Sequence, residues 1–317
     1  MTRRWKWDFE DESAEHMARP SLAGSQGSNS ATHAHFRRRR GAAAVVVTGL
    51  LIVIVVALTG SHHRAPAASP EAAAVRAAVL RASSPSESER HANAAVTSVL
   101  AYTPFVREGG GQGRDIALTF DDGPGPYTPE VLSVLERLKV RATFFAIGKM
   151  ERYFSASTIR EVRDGDVVGD HTESHPQLAH LSAHDQHEEL FEQILRIELL
   201  GGRRPTLFRP PYGSFNAATM RQLHALHLLM VLWSADTEDY LQPGVPTIVQ
   251  RALTGAHPGA ILLMHDGGGT RRQTIEALPL IIHGLRARGY RLVTVPQLLL
   301  DEPPPAGLPL RPNLSGD

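Results

Sequence analysis

The chain has no cysteine among its 317 residues. This absence excludes disulfide bonds and thiolate metal sites, so any transition metal must be bound by imidazole and carboxylate groups. The chain also lacks an excess of charge, because 33 Lys and Arg residues balance 33 Asp and Glu residues. A net charge of zero does not support a basic binding surface, and we therefore predict no nucleic-acid partner. A hydrophobic content of 42% is enough for one large domain with additional segments.

One apolar run interrupts the polar N-terminal part of the chain. Residues 42–60 carry only Thr48 and Thr59 as polar members. A helix of this length spans roughly 28 Å, close to the hydrocarbon thickness of a bilayer. Four arginines precede the run, which places its N-terminal side in the cytoplasm. We predict a cytoplasmic basic segment at 1–40 and a single-pass transmembrane signal anchor at 41–60, with the rest of the chain outside the cell. The alternative is a cleaved signal peptide and a secreted protein.

The remainder divides into a linker, one globular domain and a tail. Residues 61–113 are rich in Ala, Ser and Pro and end in a glycine-rich joint, which predicts a flexible extracellular linker. Within it, Ala72–Leu80 and Asn93–Leu100 are candidate helical pieces. Residues 114–302 form the predicted catalytic domain, and residues 303–317 form a Pro-rich C-terminal tail.

Strand-like and helix-like segments alternate through the globular domain. This alternation predicts a mostly parallel sheet covered by helices. We predict an α/β fold, a distorted, incomplete (β/α) barrel of about seven parallel strands, with an open doubly wound sheet as the alternative. The predicted strands are Ile116–Phe120, Ala142–Ile147, Val167–Gly169, Thr206–Phe208, Leu228–Ser234, Ala260–Met264 and Arg291–Val295. The predicted helices are Pro129–Leu138, Ala183–Leu199, Ala217–Leu226, Thr247–Thr254 and Thr274–Arg288.

Five polar clusters stand out because most of them directly follow a predicted strand. Polar residues at the ends of successive strands are how an α/β barrel builds an active site. Taken singly, each cluster has a structural alternative, such as a turn, a core histidine or a salt bridge. The clusters are Thr119–Gly123, His171–His175, Arg209–Gly213, Asp236–Tyr240 and Leu263–Asp266.

Two histidines and a carboxylate form a candidate metal site. His171 and His175 are four residues apart, which on a helical turn places both imidazoles on one face. With Asp122 they make a three-ligand set that leaves positions open for water and substrate, as catalytic zinc sites do. His180 and His184 have the same spacing but lie in a charged segment, and we predict that they are solvated.

The other clusters supply groups for proton transfer. Arg209 precedes two prolines that fix the backbone, and its planar guanidinium can clamp a carboxylate. His265 ends an apolar strand, and a carboxylate paired with it would favour the imidazolium and make it a general acid. Asp236, at the end of another strand, is the predicted partner of His265.

Taken in order, these motifs resemble the polysaccharide deacetylase family, the NodB-homology carbohydrate esterases of carbohydrate esterase family four. The motifs that carry the resemblance are Thr-Phe-Asp-Asp-Gly, His-Thr-x-x-His, Arg-Pro-Pro-Tyr-Gly, Asp-x-x-Asp-aromatic and Leu-x-His, all after residue 113. The resemblance implies a distorted (β/α) barrel and one divalent metal ion, zinc first and cobalt second. It also implies that Asp122, His171 and His175 are the ligands.

The resemblance further implies a role for each remaining group. Asp121 would be the base that deprotonates a water held by the metal, and His265 would protonate the departing amine. Arg209 would orient Asp121, and Asp236 would tune His265. The remaining implied site groups are the backbone N–H of Tyr212 at the oxyanion and a substrate cleft lined by Pro211, Tyr240 and Leu263.

Three positions depart from the family pattern. Tyr240 stands where Trp is frequent, Asp170 where Asn is common, and Glu173 where an aromatic or apolar residue is frequent. None of the three removes a catalytic group, but two of them add a carboxylate beside the predicted ligands.

The resemblance implies hydrolysis of N-acetyl groups from extracellular N-acetylglucosamine-containing polysaccharide, with peptidoglycan first and chitin oligomers second. An O-acetyl esterase of the xylan type is one alternative, and a non-catalytic glycan-binding module is another. No obligate protein partner is implied, and the membrane is contacted through residues 41–60. A glycosidase with Asp121 and Asp122 as its acid pair is disfavoured, because adjacent carboxylates rarely face each other across a sugar.

Overall fold

The computed structural model describes residues 87–201 and 203–306. Within this part, nine strands form one sheet in which every pair of neighbouring strands is parallel. The strands are β1 (Phe105–Val106), β2 (Asp115–Asp121), β3 (Thr143–Ala146), β4 (Val167–Asp170), β5 (Leu207–Phe208), β6 (Leu229–Val231), β7 (Ala235–Asp236), β8 (Ile261–His265) and β9 (Arg291–Val293).

Eight α-helices alternate with the strands in the described part. They are α1 (Glu87–Leu100), α2 (Thr128–Leu138), α3 (Gly148–Asp164), α4 (Ala183–Gly201), α5 (Ala217–Leu226), α6 (Val245–Thr254), α7 (Arg272–Ala287) and α8 (Val295–Asp301). Three single 3₁₀ turns add to these, at Leu178–His180, Pro211–Gly213 and Asp239–Leu241.

The sheet curls into a distorted, incomplete barrel whose two ends are joined by a short segment of the chain. The strand order is β1-β6-β5-β4-β3-β2-β8-β7, so β6 and β7 lie near opposite ends although only residues 232–234 connect them. Four Cα-to-Cα steps reach at most about 14 Å, which forces the two ends together. The N–H of Leu232 donates to Val106 O (2.8 Å), and the N–H of Ser234 donates to Ile261 O (3.1 Å). The predicted α/β fold, an incomplete barrel of parallel strands, is therefore confirmed, with two short additional strands, β1 and β7.

Alternate residues of the strands pack on two different cores. Ile116, Leu118 and Phe120 of β2 face outward and pack with apolar side chains of α2, α6 and α7. Ala117 of β2 and Ile261 of β8 belong to a separate cluster on the inward side. Because side chains alternate along a strand, Thr119 and Asp121 share the inward face with Ala117. This alternation directs the polar end of β2 into the barrel.

The inward core is closed by two helices at the end of the barrel where the strands begin. Val96 and Val99 of α1, together with Leu298 and Leu299 of α8, join the inward cluster. Helix α1 and strand β1 lie within the segment 61–113 that we predicted as a linker, so its C-terminal half contributes to the packed unit. The boundary of the catalytic domain at residue 114 stays a prediction.

Two helices were absent from the sequence-based prediction, α3 and α8. Strand β9 ends at Val293. We predicted that it extends to Val295, but Val295 is the first residue of α8. Thr294 caps this helix, because its side chain accepts a hydrogen bond from Gln297 N–H (3.4 Å) and Pro296 occupies the first turn.

The predicted cytoplasmic segment 1–40 and the predicted membrane helix 41–60 lie outside the described residues. Within 87–201 and 203–306, no helix combines the length and apolar character needed to span a bilayer.

Candidate active site

The five polar clusters meet at the rim of the barrel where the parallel strands end. Asp121 is the last residue of β2 and is directly aligned with His265, the last residue of β8. Asp170, which ends β4, is aligned with Phe208 of β5, so His171 and Arg209 follow at the same level. Asp236 of β7 is aligned with Leu263 of β8, so the register brings the five predicted clusters to one rim of the sheet.

Asp122, His171 and His175 form a group that can hold a metal ion. Their ligand atoms all lie within 4.8 Å of one another. Asp122 Oδ1 lies 3.5 Å from His171 Nε2 and 3.0 Å from His175 Nε2. Burial raises the pKa of Asp122, but the charge of His175 and hydrogen bonds from both histidines hold it well below its usual range. The carboxylate is thus ionised, as a ligand must be.

Hydrogen bonds to the outer ring nitrogens orient both imidazoles. His171 Nδ1 lies 2.7 Å from the backbone carbonyl of Arg209, which can only accept a hydrogen bond. Nδ1 of His171 therefore carries a proton, and the Nε2 atom that hydrogen-bonds Asp122 is the one that would release its proton to bind a metal ion. His175 Nδ1 lies 3.2 Å from the hydroxyl of Tyr212. This donor set of two imidazoles and one carboxylate fits a divalent transition metal.

The backbone around the metal ligands is strained. Asp122 (φ 71°), Thr172 (φ 71°), His175 (φ 62°) and Tyr212 (φ 58°) all adopt the left-handed conformation, which is rare for residues other than glycine. The predicted helical turn at 171–175 is wrong: the segment is a non-helical loop, and the two imidazoles converge through these left-handed residues. Such conformations cost about 1–3 kcal/mol each and concentrate at functional sites.

Asp121 is held by a fully buried arginine. Arg209 Nη1 donates to Asp121 Oδ1 (2.7 Å) and to Thr119 Oγ1 (2.8 Å). The rest of the guanidinium donates to the carbonyls of Val231 (3.0 Å) and Leu232 (3.2 Å), in the segment that closes the barrel. Burial lowers the pKa of Arg209, and the neighbouring Asp121 carboxylate opposes this effect. The structure therefore places Arg209 where it can orient Asp121, as predicted.

The partner of His265 is Asp239, and not Asp236 as the sequence analysis expected. Asp239 Oδ1 lies 2.8 Å from His265 Nδ1, and Asp239 Oδ2 accepts a hydrogen bond from His265 N–H (3.0 Å). The carboxylate of Asp236 instead accepts from the N–H of Glu238 (2.8 Å) in its own turn. The following 3₁₀ turn brings Asp239, three residues later, back towards β8. Asp236 is nevertheless close enough for its charge to interact with both Arg209 and His265.

His265 is set up to carry a proton. Burial lowers the pKa of His265, but the charge of Asp239 and its hydrogen bond, with smaller effects of Asp122 and Asp121, raise it to about 9. Asp239 is in turn fixed by the hydroxyl of Thr274 in α7 (2.6 Å). His265 is therefore protonated at neutral pH and can serve as an acid.

Two tyrosines and two buried apolar residues lie around these groups. The ring of Tyr240 meets His265 edge-on at 5.2 Å, and the ring of Tyr212 meets His175 at 4.6 Å. Pro211 is buried beneath the Tyr212 turn, and Leu263 lies on β8 on the same face as His265. Tyr212, with 44% of its surface exposed, offers a wall for a ligand. The predicted cleft residues thus lie beside the predicted catalytic groups.

The two additional carboxylates do not join the metal group. Glu173 pairs with Arg196 (3.3 Å) and with Arg152, on the side of the loop that faces α3 and α4. Asp170 is fully buried and accepts from Thr172 N–H (2.7 Å), and burial raises its pKa well above the usual value. His180 and His184 are exposed, as predicted for a solvated pair.

The chain is similar to known proteins in sequence and in fold. A family model described as Polysaccharide deacetylase matches residues 108–231. A peptidoglycan-N-acetylglucosamine deacetylase of Bacillus cereus is 39% identical over 195 residues, covering 58% of this chain and 87% of that protein. The peptidoglycan-N-acetylmuramic acid deacetylase PdaC of Bacillus subtilis is 40% identical over 184 residues, and this match covers 58% of this chain and 38% of PdaC. The chain thus spans less than half of the length of PdaC.

Among solved structures, the Bc1960 peptidoglycan N-acetylglucosamine deacetylase superposes with a TM-score of 0.61 at 32% identity. The match covers 64% of this chain and 95% of that structure. Sequence, fold and site geometry therefore lead to one conclusion. The chain belongs to the polysaccharide deacetylase family, a family of hydrolases that act on non-peptide carbon–nitrogen bonds.

Proposed function

We propose that this protein removes N-acetyl groups from N-acetylglucosamine-containing polysaccharide outside the cell, with peptidoglycan as the first candidate and chitin oligomers as the second. One observation carries the proposal. The metal-binding group, the Asp121–Arg209 pair and the His265–Asp239 pair lie together on one rim of the barrel. The relatives whose names specify peptidoglycan support the choice of polymer.

Asp122, His171 and His175 would hold the metal, which we propose to be zinc, with cobalt as a substitute. When bound, a divalent metal supplies a Lewis acid that lowers the pKa of water and polarises a carbonyl oxygen. Asp121, oriented by the hydrogen bond from Arg209, takes the proton of the attacking water. The backbone N–H of Tyr212 donates to the oxyanion that develops on the acetyl carbonyl.

His265 completes the reaction by donating its proton to the departing nitrogen. An amine is a poorer leaving group than an alcohol, so cleavage of an amide depends more strongly on a positioned acid. The Asp239 carboxylate, which keeps His265 protonated at neutral pH, therefore favours N-deacetylation over O-deacetylation.

Product analysis on defined glycans tests this proposal. The full chain is incubated with N-acetylglucosamine oligomers, with peptidoglycan fragments and with O-acetylated xylan, and the products are identified by mass spectrometry. We expect acetate and free amines from the N-acetylated glycans. Release of acetate from xylan alone would establish the esterase alternative, and glycan binding without any acetate release would establish a binding module.

We also propose that residues 41–60 anchor the protein in the cell membrane with the catalytic domain outside. The support is the apolar run that follows Arg37–Arg40. An outward-facing anchor places the active site next to cell-wall polymer.

A further inference from the structure

The loop after β8 packs against the back of the metal ligand Asp122. Gly267 and Gly268 lie so close to Asp122 that neither position has room for a side chain. A Cβ atom at Gly268 would lie 2.6 Å from Asp122 Oδ2, and one at Gly267 would lie 2.1 Å from Asp122 O. Both distances are below any normal contact of a Cβ atom. The loop backbone therefore forms a wall behind this carboxylate.

The two oxygens of Asp122 have different surroundings. Oδ1 faces the Nε2 atoms of His171 and His175, whereas Oδ2 faces Gly268. Asp122 is itself in the left-handed conformation, with φ 71°. A residue in this conformation persists only when its surroundings hold it there. The position of the glycine loop therefore decides where Oδ1 lies relative to the two histidines.

A buried arginine fixes the glycine loop. Arg271 is 1% exposed, and its guanidinium donates from Nε to Gly267 O (2.6 Å) and from Nη2 to Gly268 O (2.8 Å). A guanidinium presents its donors in a rigid plane, so these bonds set the orientation of both peptides. Burying a cation is costly unless the cation is hydrogen-bonded. The hydrogen bonds from Arg271 to Gly267 O and Gly268 O help to offset this cost.

We propose that Arg271 is a positioning residue for the metal site. Through the carbonyls of Gly267 and Gly268 it holds the loop against Asp122 and thereby sets the affinity of the site for its divalent metal. This inference rests on the proposed function only in so far as Asp122 is a metal ligand. It assigns a role to a residue outside the five polar clusters.

The test measures metal affinity directly. Kd for Zn²⁺ is determined by competition with a chromophoric chelator, in the full chain and in the variants Arg271→Gln and Gly268→Ala. We expect both variants to weaken Zn²⁺ binding by about 10–100-fold, the usual effect of losing a group that supports a metal ligand. The visible absorption of bound Co²⁺ should change as well, because the ligand geometry changes.

Two matched controls separate positioning from general damage. Arg272→Gln removes a neighbouring arginine that is exposed. Gly289→Ala places alanine at a similar backbone angle, φ 80° against 72° at Gly268, but its Cβ would meet only the flexible side chain of Arg114, at 3.4 Å. Both controls should bind Zn²⁺ as the unaltered chain does, although Gly289→Ala should lower the thermal midpoint as Gly268→Ala does.

The outcomes distinguish this inference from the proposed function. If the unaltered chain binds Zn²⁺ tightly and both test variants bind it equally well, the positioning role is wrong while the proposed function stands. If Gly289→Ala weakens metal binding as much as Gly268→Ala, the effect is general strain and the inference is also wrong. An unaltered chain that binds no divalent metal would overturn the proposed function, and the inference with it.

Discussion

Asp121 and Asp122 are adjacent in the chain but have different partners. Asp121 faces Arg209, whereas Asp122 faces the two histidines. The left-handed backbone at Asp122 ends the alternation of the strand, so both carboxylates can reach one cleft. This division between a base and a ligand leads to the first of two predictions at the scale of single residues.

The first prediction concerns Asp121. Asp121→Asn keeps the shape and a hydrogen-bond acceptor for Arg209 but removes the basic carboxylate. We expect turnover to fall by about 10²–10⁴-fold, the usual contribution of a positioned base. Zn²⁺ affinity should be unchanged, whereas the neighbouring variant Asp122→Asn should lose it. Asp121 is not the base if acetate release by Asp121→Asn equals that of the unaltered protein.

The second prediction concerns the pH dependence. The pKa of His265 is raised to about 9, so the imidazole is protonated at neutral pH and loses its proton as the pH rises through that value. Asp239→Asn removes the charge that raises this pKa. The alkaline limb of the kcat profile should therefore move to lower pH. Asp236→Asn, which leaves the His265 hydrogen bond in place, should move it less, and the reverse order would contradict the assignment of Asp239.

The sequence predicted most of this site because the motifs end strands of one parallel sheet. It selected Asp236 as the partner of His265 where the structure has Asp239. Both carboxylates belong to one cluster, and only the 3₁₀ turn after left-handed Glu238 decides which of them reaches His265. It included Thr119 in the first cluster but assigned no role to its hydroxyl, which accepts a hydrogen bond from Arg209. Such contacts depend on residues distant in the chain.

At the scale of elements, helix α3 shows why one part of the fold escaped prediction. Its buried face includes Glu151, Ser157, Thr158 and Glu161, so the apolar periodicity that indicates a helix is missing. Burial raises the pKa of Glu151 to about 7, although the hydroxyl of Thr158 donates to it (3.0 Å). Helices with apolar buried faces, such as α7, were predicted close to their observed bounds.

Helix α1 leads to a prediction about stability. Val96 and Val99 are buried against the inward core, at the end of the barrel opposite the active site. The double variant Val96→Ala/Val99→Ala should lower the free energy of unfolding by about 2–4 kcal/mol through lost burial and the cavities that remain. Denaturant unfolding measures this, with the exposed Ser98→Ala as control. Equal stability of the two variants would show that α1 does not belong to the folded unit.

At the scale of the whole molecule, closure of the barrel connects the fold to the chemistry. The segment 232–234 joins the two ends of the sheet, and the carbonyls of Val231 and Leu232 accept hydrogen bonds from Arg209. Arg209 in turn orients Asp121. No local sequence pattern reveals this connection, because it depends on strands that meet only after the sheet has curled.

The proposed anchor can be tested because the chain has no cysteine. Single cysteines are introduced as Ser13→Cys and Ser84→Cys, and intact cells are treated with a membrane-impermeant maleimide. We expect the Ser84→Cys protein to be labelled on intact cells and the Ser13→Cys protein only after lysis. Labelling of Ser13→Cys on intact cells, or absence of residues 1–60 from the mature protein, would contradict the anchor.

The most direct test of the central claim is the metal dependence of acetate release. Protein freed of metal is titrated with Zn²⁺, and acetate released from an N-acetylglucosamine oligomer is measured at each step. If Asp122, His171 and His175 form the catalytic metal site, activity should be absent at the start, rise in proportion to added metal and reach its plateau at one ion per chain. Full acetate release by protein shown to contain no metal would contradict the account.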